Sequence, residues 1–244
     1  QTLGSDSITT EEQALGRLTR RKLKTLPNWN EWKKAEHKQL NQFHEQNMFG
    51  DPFDPKTLDP DAIILQPTWQ YTVKRDGTRW SRLCCNGSKK AAPILHQLAS
   101  TWSSCVEMPI QRLFLALCAA EGYKVYGADV KDAYAHAPAS GIKTYMTVDE
   151  AYSDWFWEVL GKEVKKGQVM EVLNSLQGHP LSGKQWMKMI DKILIDLGFQ
   201  STTHDRCIYK QTNSEGTILI LRQVDDFLIG TTDETLAKKL TKRI

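Results

Sequence analysis

The chain has 244 residues, 40% hydrophobic and 25% charged, with 32 Lys and Arg against 29 Asp and Glu for a formal net charge of +3. That length can bury a sizeable core as one large domain or two small lobes, and the composition is that of an ordinary globular protein. No run approaches the roughly 18 apolar residues of a membrane span, so no membrane partner is expected.

Residues 1–27 read as a polar extension with a short helix capped at Thr10 and ended by Pro27. Asn28 and Glu31 form a capping-box-like pair opening a helix with Trp29, Trp32, Leu40 and Phe43 roughly on one side. Gly50 to Pro60, with its prolines and aspartates, reads as an exposed loop. Two strand-like runs follow, Thr68 to Val73 and Trp80 to Cys85, joined at Asp76-Gly77, a strong hairpin signal. Pro109 suits the first turn of a helix whose apolar face is Ile110, Leu113, Phe114, Leu117 and Cys118, with Gly122 ending it. A strand from Lys124 to Asp129 comes next. A helix capped by Ser182 then buries Trp186, Ile190, Ile193, Leu194 and Leu197 and stops at Gly198. A short strand around Cys207 to Lys210 precedes two apolar runs, Ile218 to Leu221 and Phe227 to Ile229. A last helix opens at Asp233 with Leu236, Ala237 and Leu240. Helices alternating with non-adjacent strands predict an α+β fold, an antiparallel sheet with helices on one face.

The five cysteines are odd in number and unframed, which favours reduced thiols in an intracellular, cytoplasmic setting. The N-terminus lacks a basic segment followed by an apolar run, so no signal peptide is expected. No CxxC pair or HExxH occurs, which argues against zinc.

The net charge is too small to point to nucleic acid, but its distribution is uneven. Between Thr68 and Lys90 lie Lys74, Arg75, Arg79, Arg82, Lys89 and Lys90 against the single acid Asp76, with Trp69, Tyr71 and Trp80 interleaved. Such a segment suits a phosphate backbone or a triphosphate, and equally a solvated hairpin with basic edges.

Asp225 and Asp226 sit between two apolar runs that read as buried strands, where a charged pair is costly unless compensated. A tight hairpin turn takes them out of the core, and solvated turn residues are the plain alternative. Asp129 adds a third carboxylate at a strand end, followed by Asp132, although an isolated Asp there also caps turns. A strand-end carboxylate beside an Asp-Asp hairpin suits two magnesium ions, because hard cations take oxygen ligands and a pair can clamp a phosphoryl transfer.

These residues carry a resemblance. "ADVKDAYAHA" (Ala128 to Ala137) and "QVDDFLIG" (Gln223 to Gly230) resemble motifs A and C of reverse transcriptases, with the copia-type retrotransposon enzymes as the best match. "NWNEWKKAEHKQL", "TWQYTVKRDGTRWSRL" and "NSLQGHPLSGKQWMKMIDKILIDLGFQSTTHDRCIYK" resemble that family's opening helix, its fingers hairpin, and its later helix with the turn and strand that follow, in family order.

The resemblance implies a right-hand polymerase fold of fingers and palm, without a thumb because the sequence ends soon after Asp226. Residues 28–122 would form fingers and first palm helix, and residues 123–244 the palm. The implied catalytic carboxylates are Asp129, Asp225 and Asp226, with the Val130 backbone as a further contact to two Mg²⁺ ions, or Mn²⁺ in their stead. Lys74 or Arg75, and Arg82, would hold the triphosphate as point charge and forked guanidinium. Asp132, Ala133 and Tyr134 would line the nucleotide pocket with Gln177 and Gly178, Tyr134 lying under the sugar. Gln177 could equally be a surface glutamine, and Tyr134 a packing residue. Arg79, Lys89, Lys90, Gln223 and Val224 would contact nucleic acid. The implied partners are an RNA or DNA template-primer and deoxynucleoside triphosphates, and the implied setting adds the nucleus or a virus-like particle to the cytoplasm.

The chain departs from the family pattern at several places. Gln223 stands where a tyrosine is usual, Trp80-Ser81 where Lys-Ala is usual, "CCNG" for "VAKG", and "GHPLSG" for "GLKQAP". The alternative to an RNA-directed DNA polymerase is a non-catalytic remnant that binds nucleic acid or a protein partner.

Overall fold

The computed structural model describes Glu12 and residues 17–214 and 216–243. In chain order its elements are helices α1 (Arg20–Leu23) and α2 (Trp29–Glu45), a 3-10 turn at Pro55–Thr57, and strands β1 (Ile63–Leu65), β2 (Pro67–Val73) and β3 (Arg79–Cys85). Helices α3 (Pro93–Leu98) and α4 (Met108–Ala120) follow, then β4 (Lys124–Asp129), α5 (Ala133–His136), β5 (Thr144–Thr147), α6 (Glu150–Leu160), β6 (Val169–Glu171) and α7 (Ser182–Asp196). Strands β7 (Gln200–Ser201), β8 (Ile208–Asn213), β9 (Gly216–Gln223) and β10 (Asp226–Thr231) lead to α8 (Glu234–Thr241). The start of the helix expected from Thr10 lies outside the described residues.

These elements form two compact units, Gln1–Ala99 with Pro138–Ser182, and Ser100–Ala137 with Gly183–Ile244. Each unit draws on two stretches of chain.

In the first unit, β2 and β3 pair antiparallel from Pro67↔Cys85 to Val73↔Arg79. Gly77 turns the tip at φ +81, a conformation that costs glycine little. Helix α2 packs on this hairpin, its buried Trp32 meeting Tyr71 edge to face at 5.9 Å. Glu36, also buried on α2, accepts from the Tyr71 hydroxyl at 2.6 Å and from Arg20 at 3.1 Å, so the charge is paired and hydrogen-bonded. Asn28 does precede α2, but its side chain makes no cap bond; its amide donates to Glu12 instead. A small sheet pairs β1 with β5 in parallel and β5 with β6 antiparallel. Asp149 caps α6 through the Tyr152 N–H at 2.9 Å and also accepts from the Trp69 indole at 2.8 Å. Strands β1, β5 and β6 and helices α3 and α6 carry no expected counterpart in the sequence.

The second unit is a five-stranded antiparallel sheet in the order β4-β10-β9-β8-β7. Strand alternation sorts its side chains. Ile218, Ile220, Phe227 and Ile229 face Trp186, Ile190 and Leu194 of α7 and Leu236, Ala237 and Leu240 of α8. Asp233 caps α8, its carboxylate accepting from the Thr235 N–H at 2.7 Å. On the opposite face Leu219, Leu221 and Leu228 meet Phe114 and Cys118 of α4. The expected cover by helices on one face therefore holds for α7 and α8, and α4 adds a second layer on the other. Gly230 permits that approach, since a Cβ there would lie 2.5 Å from the Cys118 sulfur. The buried stripe of α4 is narrower than expected: Phe114 and Cys118 are buried, while Leu113 and Leu117 are exposed.

Candidate active site

Strands β4 and β10 end together, with Asp129 paired to Asp226 and Asp226 paired in turn to Gln223 of β9. Cross-strand partners share a face, so Asp129, Asp226 and Gln223 form a row at the end of the sheet. Between β9 and β10 the loop is only Val224-Asp225. Val224 takes φ +58, a left-handed conformation that costs a β-branched residue about 1–3 kcal/mol. The turn is held from two sides: the Trp186 indole donates to the Val224 carbonyl at 2.7 Å, and the Val130 N–H donates to the Asp225 carbonyl at 3.0 Å. The second bond fastens the Asp-Asp turn to the chain leaving Asp129.

Asp129 is exposed, yet modest desolvation, then the like charges of Asp225, Asp226 and Asp132, push its carboxyl above its usual range. Among the described residues no Lys, Arg or His forms an ion pair with Asp129, Asp225 or Asp226. A cleft of about 470 Å³ opens on the same face, lined by Asp129, Asp226, Gln223, Gln111, Leu221 and Leu228. Uncompensated, oxygen-only, mutually repelling groups are the donor chemistry of a hard divalent cation. Among the described residues no three carboxylate, imidazole or thiol groups stand ready-converged on one metal position. The donors present fit magnesium through one or two carboxylates, the usual protein share of a magnesium shell that substrate phosphates complete.

The remaining expected residues of this unit are sorted by their contacts. Asp132 turns the chain at φ +54 into α5, and Ala133 is buried in the core beneath α7 and α8. Tyr134 is half-buried and packs against the same core, its hydroxyl 3.9 Å from where a Cβ on Gly183 would stand. Gln223 is not a free nucleic-acid contact. Its amide oxygen accepts from the Val106 N–H at 3.1 Å and its amide nitrogen reaches the Cys105 sulfur at 2.8 Å. The amide thus ties the segment before α4 to the carboxylate face.

In the first unit Lys74, Arg75, Lys89 and Lys90 are exposed. Arg79 is not available in the same way. It pairs with Glu12 at 3.1 Å and Glu31 at 3.3 Å, and its charge is spent within the fold. Arg82 has no carboxylate partner among the described residues and lies over the Trp80 ring at 4.5 Å. The Gln177 carbonyl accepts from the Cys85 N–H at 2.9 Å, and Gly178, at φ +87, presses on the same strand. A Cβ at Gly178 would lie 2.1 Å from the Cys85 carbonyl oxygen.

Sequence reasoning missed the supports beneath the carboxylates. In sequence Trp186 reads only as a core residue of α7. Arg222 is 1% exposed, donates to Ser104 at 2.9 Å and pairs with Asp191 of α7 at 3.6 Å. Tyr209 donates to the same Asp191. An arginine one residue before Gln223 in an apolar strand was the available signal.

The site is thus the end of an antiparallel sheet, where the strand-end Asp129 faces Asp226 across from the two-residue Val224-Asp225 turn. The family model described as reverse transcriptase (RNA-dependent DNA polymerase) matches residues 56–244. The chain belongs to that family, the one found in copia-type LTR retrotransposons, and its α+β fold is of reverse-transcriptase type. No curated protein matches its sequence. Among solved structures it is similar to apo telomerase from Candida tropicalis truncated from its C-terminal domain, at 12% identity and a TM-score of 0.44. That similarity covers 87% of this chain and 51% of the other, so the chain spans about half the length of that protein. No helix among the described residues is long and apolar enough to cross a membrane.

Proposed function

We propose that the chain is an RNA-directed DNA polymerase domain that adds a deoxynucleotide to the 3′-hydroxyl of a primer on an RNA or DNA template. The hydroxyl gives up its proton to solvent as its oxygen attacks the α-phosphorus, the bond to the bridging oxygen breaks, and pyrophosphate leaves. The observation that supports this most is the facing pair Asp129 and Asp226 at the sheet end, with Asp225 beside them and, among the described residues, no cationic side chain paired with them. Asp129 and Asp226, with Asp225 and the Val130 carbonyl, are the groups that would hold two Mg²⁺ ions, or Mn²⁺. When bound, the ions would supply charge neutralisation on the triphosphate and lower the pKa of the attacking hydroxyl.

The chain's own residues then have separate tasks. The strained Val224 turn keeps Asp225 and Asp226 out of the core, and Trp186 keeps the turn in place. Exposed Lys74 and Arg75, and Arg82, which has no carboxylate partner among the described residues, suit a triphosphate, while Lys89 and Lys90 suit the backbone of a template or primer. Tyr134 is assigned to the sugar edge, where an aromatic ring excludes a 2′-hydroxyl.

A second reading, a binder that no longer catalyses, is favoured by Gln223. It stands at the motif's usual tyrosine and its amide is engaged within the fold. Primer extension with one labelled deoxynucleotide and Mg²⁺ separates the two. Incorporation by the parent that vanishes in Asp129→Asn supports the polymerase; nucleic-acid binding without incorporation supports the binder.

A further inference from the structure

We propose that Trp80 is a positioning residue for Arg82, holding its guanidinium on the indole face so that its N–H groups stay free for the oxygens of a triphosphate. The inference rests on the reading above that the β2–β3 hairpin receives the nucleotide's phosphates, and it concerns a residue at which this chain departs from its family's pattern.

Trp80 and Arg82 are two residues apart on β3, so both project from the same face of the hairpin. The opposite face carries Ser81 and Leu83, both buried, while Trp80 and Arg82 are half-buried. The Arg82 guanidinium carbon lies 4.5 Å from the Trp80 ring centroid, well inside cation–π range, and tryptophan is the best ring for the purpose. The partnering differs sharply from that of Arg79 on the same strand. Glu12 and Glu31 claim the donors of Arg79, whereas among the described residues no carboxylate claims those of Arg82.

A ring face restrains the guanidinium without consuming its N–H donors, because the attraction acts on the charge and not through hydrogen bonds. A carboxylate would both restrain and neutralise it. An arginine so held keeps its forked donors in one orientation and loses less freedom when a phosphate arrives. The lysine usual at position 80 would add a charge but would not restrain Arg82. Here one aromatic residue exchanges charge number for order.

The experiment is a double-mutant cycle on the full chain, read as calorimetric binding of inorganic tripolyphosphate without metal or primer. Trp80→Ala is expected to weaken binding about two- to five-fold, the range of an exposed cation–π contact. Trp80→Phe should recover part of that loss, and Trp80→Ala should cost nothing further once Arg82→Ala is present. Circular dichroism melting confirms that each variant is folded. Unchanged tripolyphosphate affinity in folded Trp80→Ala, additive losses in the cycle, or no tripolyphosphate binding by the parent would each overturn the proposal. So would a Trp80→Ala loss confined to single-stranded oligodeoxynucleotide, which would move Arg82 from the triphosphate to the nucleic-acid backbone. Binding results that follow the cycle in a chain unable to extend primers would leave this inference standing and defeat the polymerase reading instead.

Discussion

The indole N–H of Trp186 donates to the carbonyl of Val224 at 2.7 Å, so a buried side chain of α7 grips the most strained residue of the carboxylate turn. A left-handed β-branched residue persists only where its surroundings over-determine it. Trp186 supplies that hold from below, and the pairing of Gln223 with Asp226 supplies it from the strands.

Trp186→Phe keeps a ring in the core but removes the donor and leaves a small cavity. The expected cost is about 1–3 kcal/mol, seen as a lower urea midpoint at unchanged slope. Incorporation should fall by more than the lost stability accounts for, because the released turn carries Asp225 and Asp226. An activity loss fully restored by lowering the temperature would argue that Trp186 acts on stability alone.

Gly178→Ala tests whether the Gln177-Gly178 turn is seated on β3. The new Cβ would meet the Cys85 carbonyl oxygen at 2.1 Å while the residue stays at φ +87. A backbone clash plus an unfavourable φ should cost about 2–5 kcal/mol. Gly122→Ala is the matched control, with φ +68 and nothing within 4 Å, and should cost only about 1 kcal/mol. Equal losses in the two variants would refute the close approach.

His179 gives the fold an acid-sensitive point. Burial lowers its pKa from 6.5 to about 4, and its ring nitrogen Nδ1 accepts from the Leu181 N–H at 3.2 Å. With the folded pKa depressed, the unfolded chain binds the extra proton. The stabilising share of His179 is therefore complete above pH 6.5 and disappears as the pH falls toward about 4. That share is about 3 kcal/mol. His179→Asn, which retains an acceptor, should flatten the acid limb of stability against pH, measured by urea unfolding at successive pH values. Parallel acid limbs in parent and variant would contradict the assignment.

Tyr134→Val asks whether the ring guards the sugar or only fills the core. Under the proposed role, ribonucleotide use should rise relative to deoxynucleotide use by tenfold or more, since a hydroxyl buried without a partner costs about 1–3 kcal/mol and a clash adds to it. Single-nucleotide kinetics with matched pairs measure the ratio. A folded variant with an unchanged ratio would leave Tyr134 as packing against α7 and α8.

Much of the second unit was legible because its signals are local. Lys124 to Asp129 forms the expected strand, Asp233 caps the expected last helix, and the Asp-Asp pair lies in a tight turn between apolar strands. The same locality explains Asp76-Gly77 and the β2–β3 hairpin. What stayed hidden depends on partners distant in sequence. Arg79 reads as a free cation until Glu12 and Glu31 are seen beside it, and Gln223 reads as a surface contact until residues 105–106 are. Leu113 and Leu117 look like core on helical periodicity alone, yet α4 buries only the stripe that crosses Leu219 and Gly230. Strands β1, β5 and β6 are three or four residues long, too short for alternation to register, and β1 pairs with a strand about 80 residues away.

The most direct test of the central claim is single-nucleotide primer extension by the parent, Asp129→Asn and Asp226→Asn, each checked for an intact melting transition. Modest desolvation and its acidic neighbours raise the folded pKa of Asp129. Its share of stability is present at low pH and lost as the pH rises through that raised value, and Asp129→Asn should therefore melt no lower than the parent at neutral pH. Incorporation by the parent with Mg²⁺ is expected, with loss of about a hundred- to a thousandfold in both variants, the scale expected when a group stabilising transition-state charge is removed. Incorporation at the parental rate by either folded variant would contradict it.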